Sequence, residues 1–86
     1  MAKKVLVVDD NPISRELIHE VLENSDRKVV EADNGEEALK MIAGEKPDIV
    51  LLDIQLPVFD GYEVLKRVRS DLGMVNLPVI LAYTSL

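Results

Sequence analysis

Three acidic residues follow two apolar segments of the chain and could together bind a cation. Asp9 and Asp10 come directly after the run 4–8, and Asp53 comes directly after the run 48–52. Apolar, β-branched runs of this kind are typical of parallel strands that are buried on both faces. The carboxyl ends of such strands meet at one edge of the sheet, where open α/β folds bind their ligands. Carboxylates gathered there need a counterion, so the spacing predicts a site for a hard cation such as Mg²⁺.

The elements that must position these acids alternate between strands and helices along the chain. We predict strands over about residues 4–9, 28–32, 48–53 and 77–83. Each helix is expected to begin after a residue whose side chain can cap a helix N-terminus, namely Asn11, Asn34 or Asp60. The apolar periodicity and the glycines place the helix ends near Asn24, Gly44 and Gly73. The order βαβαβαβ predicts an α/β fold with a parallel sheet.

Composition excludes several classes of function. The 86 residues are 48% hydrophobic and contain no apolar run near 18 residues, so no membrane span is expected. The net charge is −6 and no basic patch stands out, which argues against direct nucleic-acid binding. Cysteine is absent, which excludes a disulfide framework and a thiolate metal site. We expect a cytoplasmic protein.

Three segments and one loop resemble the receiver domain of two-component response regulators. The segments are residues 7–12, 34–39 and 47–53, and the loop 53–61 is similar to the phosphoacceptor loop of that family. The resemblance covers essentially the whole chain. It implies a three-layer flavodoxin-like fold, whose complete sheet has the order 2-1-3-4-5. It also implies a phosphorylation-dependent switch rather than a metabolic enzyme, with a sensor histidine kinase or a phosphotransfer protein as partner.

The family resemblance assigns a role to each candidate site residue. It implies that Asp53 is the phosphoacceptor, that Asp10 binds Mg²⁺ directly and that Asp9 acts largely through water. The main-chain carbonyl of Gln55 would be a further metal ligand. In the family, a Thr or Ser at the end of the fourth strand hydrogen-bonds the phosphoryl group, and Thr84 is the candidate here.

The chain departs from the family pattern in two respects. We expect residues 1–86 to be a C-terminally truncated receiver domain with sheet order 2-1-3-4, without helix 4, strand 5, helix 5 or the Lys that follows strand 5. The switch hydroxyl usually lies five positions after the Pro that starts strand 4, yet Pro78 plus five is Tyr83. A shift of one residue reverses the face of a strand side chain. Either Thr84 reaches the site through a bulge, or Tyr83 takes its place.

The departures from the family pattern indicate an alternative function, and the α/β architecture suggests a further one. With helix 1 alone on one face, strands 1 and 3 are expected to expose apolar side chains there, and strand 4 would be an open edge. The alternative function is therefore a truncated or engineered structural unit that forms homo-oligomers without phosphotransfer. A nucleotide-binding domain is disfavoured because the turns after strands 1 and 3 lack a Gly-rich phosphate cradle. His19 is expected at a solvated helix position, not as a phosphodonor or metal ligand.

Overall fold

The computed structural model describes residues 3–24 and 26–82, in which four strands alternate with three helices. In chain order they are β1 (Lys4–Val8), α1 (Pro12–Glu23), β2 (Lys28–Ala32), α2 (Gly35–Glu45), β3 (Ile49–Asp53), α3 (Gly61–Ser70) and β4 (Val79–Ala82). The strands are parallel and lie in the order β2-β1-β3-β4. The predicted α/β class and the sheet order 2-1-3-4 of a flavodoxin-like fold are thus confirmed.

The three helices begin where the capping residues predict. The side chains of Asn11, Asn34 and Asp60 each accept a hydrogen bond from a main-chain N–H of the first helical turn. These bonds satisfy donors that have no partner within the helix. Each cap lies between the carboxyl end of a strand and the helix that follows it. The caps therefore fix the direction in which the chain leaves the acidic edge of the sheet.

Two helix ends differ from the predictions. Helix α2 continues past Gly44 to Glu45, and Lys46 closes it in the left-handed conformation with φ 49°. Pro47 follows at once, and a residue before proline is disfavoured in the helical region. Helix α3 ends at Ser70 rather than near Gly73, because Gly73, at φ 66°, forms the left-handed turn that follows the helix.

The main core lies between the sheet and the pair α2 and α3. It is formed by fully buried side chains from strands and helices: Leu6, Val8, Ala32, Ala38, Ile42, Val50, Leu52, Val64 and Val68. The strand residues between these core positions point to the other face of the sheet, which carries α1. Among the described residues, no helix is both long and apolar enough to cross a lipid bilayer.

The face that carries α1 is only partly covered. The prediction that strand 1 exposes apolar residues there is wrong, because Val5 and Val7 are 2% and 1% exposed. Helix α1 packs against β1 and β2 and covers them. The exposed apolar side chains of this face lie elsewhere: Ile80 of β4 is 50% exposed and Leu17 of α1 is 53% exposed. A small cleft of about 130 Å³ lies between α1 and the strands β3 and β4.

Candidate cation and phosphoacceptor site

The three predicted acids meet at the carboxyl edge of the sheet. Asp9, Asp10 and Asp53 each offer one carboxylate oxygen, and these three oxygens lie within 4.8 Å of one another. The parallel pairing of β1 with β3 brings this about, because Val8 and Leu52 are register partners and the acids follow directly. Asp9 and Asp53 are buried, whereas Asp10 is exposed. The site therefore has two fixed carboxylates and one that faces solvent.

Asp9 has one carboxylate oxygen that no hydrogen bond satisfies. Its Oδ1 accepts from the main-chain N–H of Asn11 at 2.9 Å. Its Oδ2 is buried and has no hydrogen-bond partner among the described residues. A buried charged oxygen without a partner is costly. With Asp10 and Asp53, Asp9 forms the all-oxygen donor set that Mg²⁺ prefers, so these residues fit a hard divalent cation.

The main chain after β3 holds the Asp53 carboxylate in place. The N–H of Gln55 donates to Asp53 Oδ1 at 3.0 Å, so the Gln55 main chain lies beside the predicted phosphoacceptor. Its neighbour Ile54 donates to the carbonyl of Ala82 at 3.0 Å and accepts from the N–H of Gly61 at 2.8 Å. The start of the loop is thereby tied both to β4 and to the first residue of α3.

The rest of the loop 53–61 is anchored on both neighbouring helices. The N–H of Gly35 donates to the carbonyl of Pro57 at 3.3 Å, which joins the loop to the start of α2. The guanidinium of Arg67 on α3 lies 4.1 Å from the ring centroid of Phe59. Between these contacts, Val58 is exposed and has φ 72°. A β-branched residue is strained in that conformation, so the loop carries local strain next to the site.

The sequence analysis did not predict a network of charged side chains beside Asp9. Arg15 donates from Nη1 to the Asp9 carbonyl at 2.8 Å and from Nε to Glu31 at 2.7 Å. The second oxygen of Glu31 is hydrogen-bonded to His19 Nδ1, and His19 Nε2 pairs with Glu23 at 2.7 Å. The spacing of His19 and Glu23, four residues apart on α1, is the part of this network that the sequence could have indicated.

The environment of His19 differs from the prediction. His19 lies on the helix surface but is only partly solvated, because its side chain is 31% exposed and both ring nitrogens contact carboxylates. Burial of the ring lowers its pKa, but the hydrogen bonds and charges of Glu31 and Glu23 outweigh this effect. The pKa of His19 is therefore raised above its ordinary value.

Two candidate residues lie outside the part of the chain that the structure describes, and two lysines lie away from the site. Thr84 and Tyr83, the two candidates for the switch position, fall outside the described residues. Lys4 lies at the opposite edge of the sheet, at the start of β1, and its Nζ donates to the Glu45 carbonyl at 2.9 Å. Lys40 pairs with Glu36 on α2.

Known proteins are similar to this chain over nearly all of its length. Residues 5–85 match the response regulator receiver domain family. The alkaline phosphatase synthesis transcriptional regulatory protein PhoP of Bacillus subtilis is 44% identical over 82 residues, which are 95% of this chain and 34% of that protein. The sporulation initiation phosphotransferase F of the same organism is 37% identical over 86 residues, 100% of this chain and 69% of that protein. The chain thus spans only part of the relatives it matches.

A solved structure with a bound metal ion has the same architecture. It is the receiver domain of a sensor histidine kinase from Pseudomonas aeruginosa PAO1, with a magnesium ion coordinated in its active-site cleft. The TM-score is 0.88 at 27% sequence identity, and the alignment covers 94% of this chain and 66% of that one.

Proposed function

The chain belongs to the response regulator receiver domain family, and on that premise we propose that Asp53 accepts a phosphoryl group with Mg²⁺ bound beside it. One observation carries the proposal: carboxylate oxygens of Asp9, Asp10 and Asp53 lie within 4.8 Å of one another, and Asp9 has a buried oxygen without a hydrogen bond. Both features are explained by a cation. The magnesium ion in the related Pseudomonas receiver domain supports the same assignment.

Each residue of the site has a proposed role. Asp9, Asp10, Asp53 and the main-chain carbonyl of Gln55 would hold Mg²⁺. When bound, the ion would neutralise charge on the carboxylate and on the phosphoryl oxygens. In transfer from a phosphorylated histidine, a carboxylate oxygen of Asp53 forms the new bond to phosphorus while the bond from phosphorus to the histidine nitrogen breaks. The electron pair stays on that nitrogen, which takes up a proton. The Gln55 N–H orients Asp53 through its bond to Oδ1.

The proposed biological role is a switch in two-component signalling. The donor would be a sensor histidine kinase or a phosphotransfer protein, and the location would be the cytoplasm. A phosphoryl group carries a charge of about −1.5 to −2, and on Asp53 it would replace the single charge of the carboxylate at the centre of the acidic edge. Such a change can bias a loop between two conformations and so alter the affinity for a partner. Thr84 is retained as the proposed hydroxyl contact. In this proposal the chain is a signalling domain and not a metabolic enzyme.

Phosphate incorporation from a small phosphodonor tests the proposal. The protein is incubated with acetyl phosphate or phosphoramidate, with Mg²⁺ or with a chelator, and its intact mass is measured. We expect the mass of one phosphoryl group to be added only with Mg²⁺, and to be absent in Asp53→Asn. The control Asp71→Asn alters an exposed acid at the end of α3 and should leave incorporation unchanged. Phosphate incorporation by Asp53→Asn at the parent level would refute the assignment.

A structural, self-associating unit without phosphotransfer is the alternative, and the comparisons do not support it. Self-association remains a separate prediction. It rests on exposed apolar side chains of the α1 face, where Leu17, Val21 and Ile80 are 53%, 67% and 50% exposed. Sedimentation equilibrium over a wide concentration range tests it, with Leu17→Glu as the disrupting variant. A monomer at the highest concentration would contradict the prediction.

A further inference from the structure

We propose that Arg15 is a positioning residue for the cation site, because its guanidinium holds the main chain at Asp9 while Glu31 holds the guanidinium. The inference rests on the proposed function and adds residues that touch neither the cation nor the phosphoryl group. The contact joins the residue that follows β1, the end of the first turn of α1 and the last part of β2.

The bond from Arg15 to Asp9 acts on the main chain and not on the carboxylate. Arg15 Nη1 donates to the Asp9 carbonyl oxygen at 2.8 Å, and the Asp9 N–H donates to the Ala32 carbonyl at 3.1 Å. Asp9 Oδ1 in turn accepts from Asn11 at 2.9 Å. The residue is thus held at its N–H, its carbonyl and one carboxylate oxygen. The remaining oxygen, Oδ2, has a fixed direction as a consequence.

Glu31 fixes the guanidinium from the opposite side. Its Oε1 accepts from Arg15 Nε at 2.7 Å, and its Oε2 is hydrogen-bonded to His19. The side chains of Arg15 and Glu31 are 21% and 34% exposed, so solvent screens this pair less than a surface ion pair. A guanidinium can donate to both partners at once because its N–H groups form a rigid fork. A lysine ammonium at the same position cannot span the same two acceptors with that geometry.

The positive charge of Arg15, taken alone, predicts the opposite effect on Mg²⁺ affinity, so a measurement can distinguish charge from positioning. Arg15 is a cation next to a cation site, and removing it should strengthen Mg²⁺ binding if only Coulomb repulsion mattered. Positioning predicts weaker binding, because the Asp9 peptide could rotate and move its carboxylate away from the other two. Outer-shell partners of metal ligands typically change metal affinity by roughly 10–100-fold. We therefore expect the positioning effect to exceed the charge effect.

Calorimetric titration of the 86-residue protein with Mg²⁺ measures the effect. Arg15→Ala should weaken Mg²⁺ binding about tenfold. Arg15→Lys keeps the charge and loses the fork, and it should weaken binding by a similar factor. Glu31→Gln should weaken it less, and adding it to Arg15→Ala should have little further effect, because Glu31 acts through Arg15. The matched control is Arg69→Ala, which removes another arginine bond to a carbonyl, that of Met74 at 2.7 Å, outside the site.

Urea unfolding without metal separates positioning from a purely structural role. A structural role lowers the metal-free stability of Arg15→Ala and leaves the Kd for Mg²⁺ of the folded protein unchanged, and that result would overturn the inference. Equal or tighter binding by Arg15→Ala would overturn it as well. If Arg15→Ala does not fold, Arg15→Lys and Glu31→Gln decide by the same criterion.

The Asp9→Asn variant distinguishes failure of the inference from failure of the proposed function. If Mg²⁺ binding is lost in Asp9→Asn but unchanged in Arg15→Ala, only the positioning role of Arg15 is refuted. A parent protein that binds no Mg²⁺ contradicts both the positioning role and the proposed function.

Discussion

Gly61 lies against Asp53 so closely that a methyl group on its α carbon would be 2.7 Å from the Asp53 carbonyl oxygen. The same methyl group would be 2.8 Å from the α carbon of Ile54. Real side chains do not approach main-chain atoms that closely, so the start of α3 and the end of β3 can meet only through a glycine. The first residue of α3 therefore packs directly against the main chain of the proposed phosphoacceptor.

Gly61→Ala should lower the free energy of unfolding by about 1–3 kcal/mol, the usual cost of overpacking. It should also weaken Mg²⁺ binding, because the displaced atoms belong to Asp53. The control is Gly44→Ala near the end of α2, where a methyl group meets nothing within 4 Å. Alanine is the better helix former, so that change should raise stability by up to about 1 kcal/mol. Urea unfolding measures both, and equal effects at the two glycines would contradict the packing argument.

Val58→Gly should stabilise the protein by up to about 1 kcal/mol, because glycine adopts the left-handed conformation without strain. Val58 has φ 72° and is 65% exposed, so little apolar burial is lost. Val75→Gly is the matched control, since Val75 is 66% exposed and its φ is not positive. That change should destabilise by roughly 0.5–1 kcal/mol through chain entropy. Urea unfolding of both variants tests the sign, and destabilisation by Val58→Gly would contradict the assigned strain.

Stability should fall as the pH is raised through the pKa of His19. The folded-state pKa is raised above 6.5 by Glu31 and Glu23, against the lowering effect of burial. The stabilisation is therefore fully present below the unfolded-state pKa and is lost as the pH rises past the folded-state pKa. His19→Gln should remove this dependence, which begins as the pH rises above about 6.5. Urea unfolding at a series of pH values measures it, and parallel curves for parent and variant would contradict the contribution of His19.

Features governed by local sequence were predictable. The caps Asn11, Asn34 and Asp60 bond to N–H groups within three residues, so their effect does not depend on the remainder of the fold. The meeting of Asp9 and Asp53 needed one further inference, that both strands are parallel in one sheet. Parallel strands end at the same edge, which made this contact predictable without coordinates.

Features set by packing between distant segments were not predictable. The bond of Arg15 to Glu31 depends on where α1 lies against β2, and the residue types alone specify no such contact. The same packing turns His19 from a helix surface residue into the partner of Glu31. The left-handed Val58 runs against the preference of its residue type, so only the closed loop reveals it. In each case tertiary structure overrides a local preference.

Thermal unfolding with and without millimolar Mg²⁺, in the parent and in Asp10→Ala, tests the central claim that Asp9, Asp10 and Asp53 form a divalent-cation site. Asp10 is exposed, so its replacement removes a ligand with little effect on packing. We predict that Mg²⁺ raises the melting temperature of the parent and of the control Asp71→Ala, and that the increase disappears in Asp10→Ala. An equal increase in Asp10→Ala, or no increase in the parent, would contradict the assignment of the site.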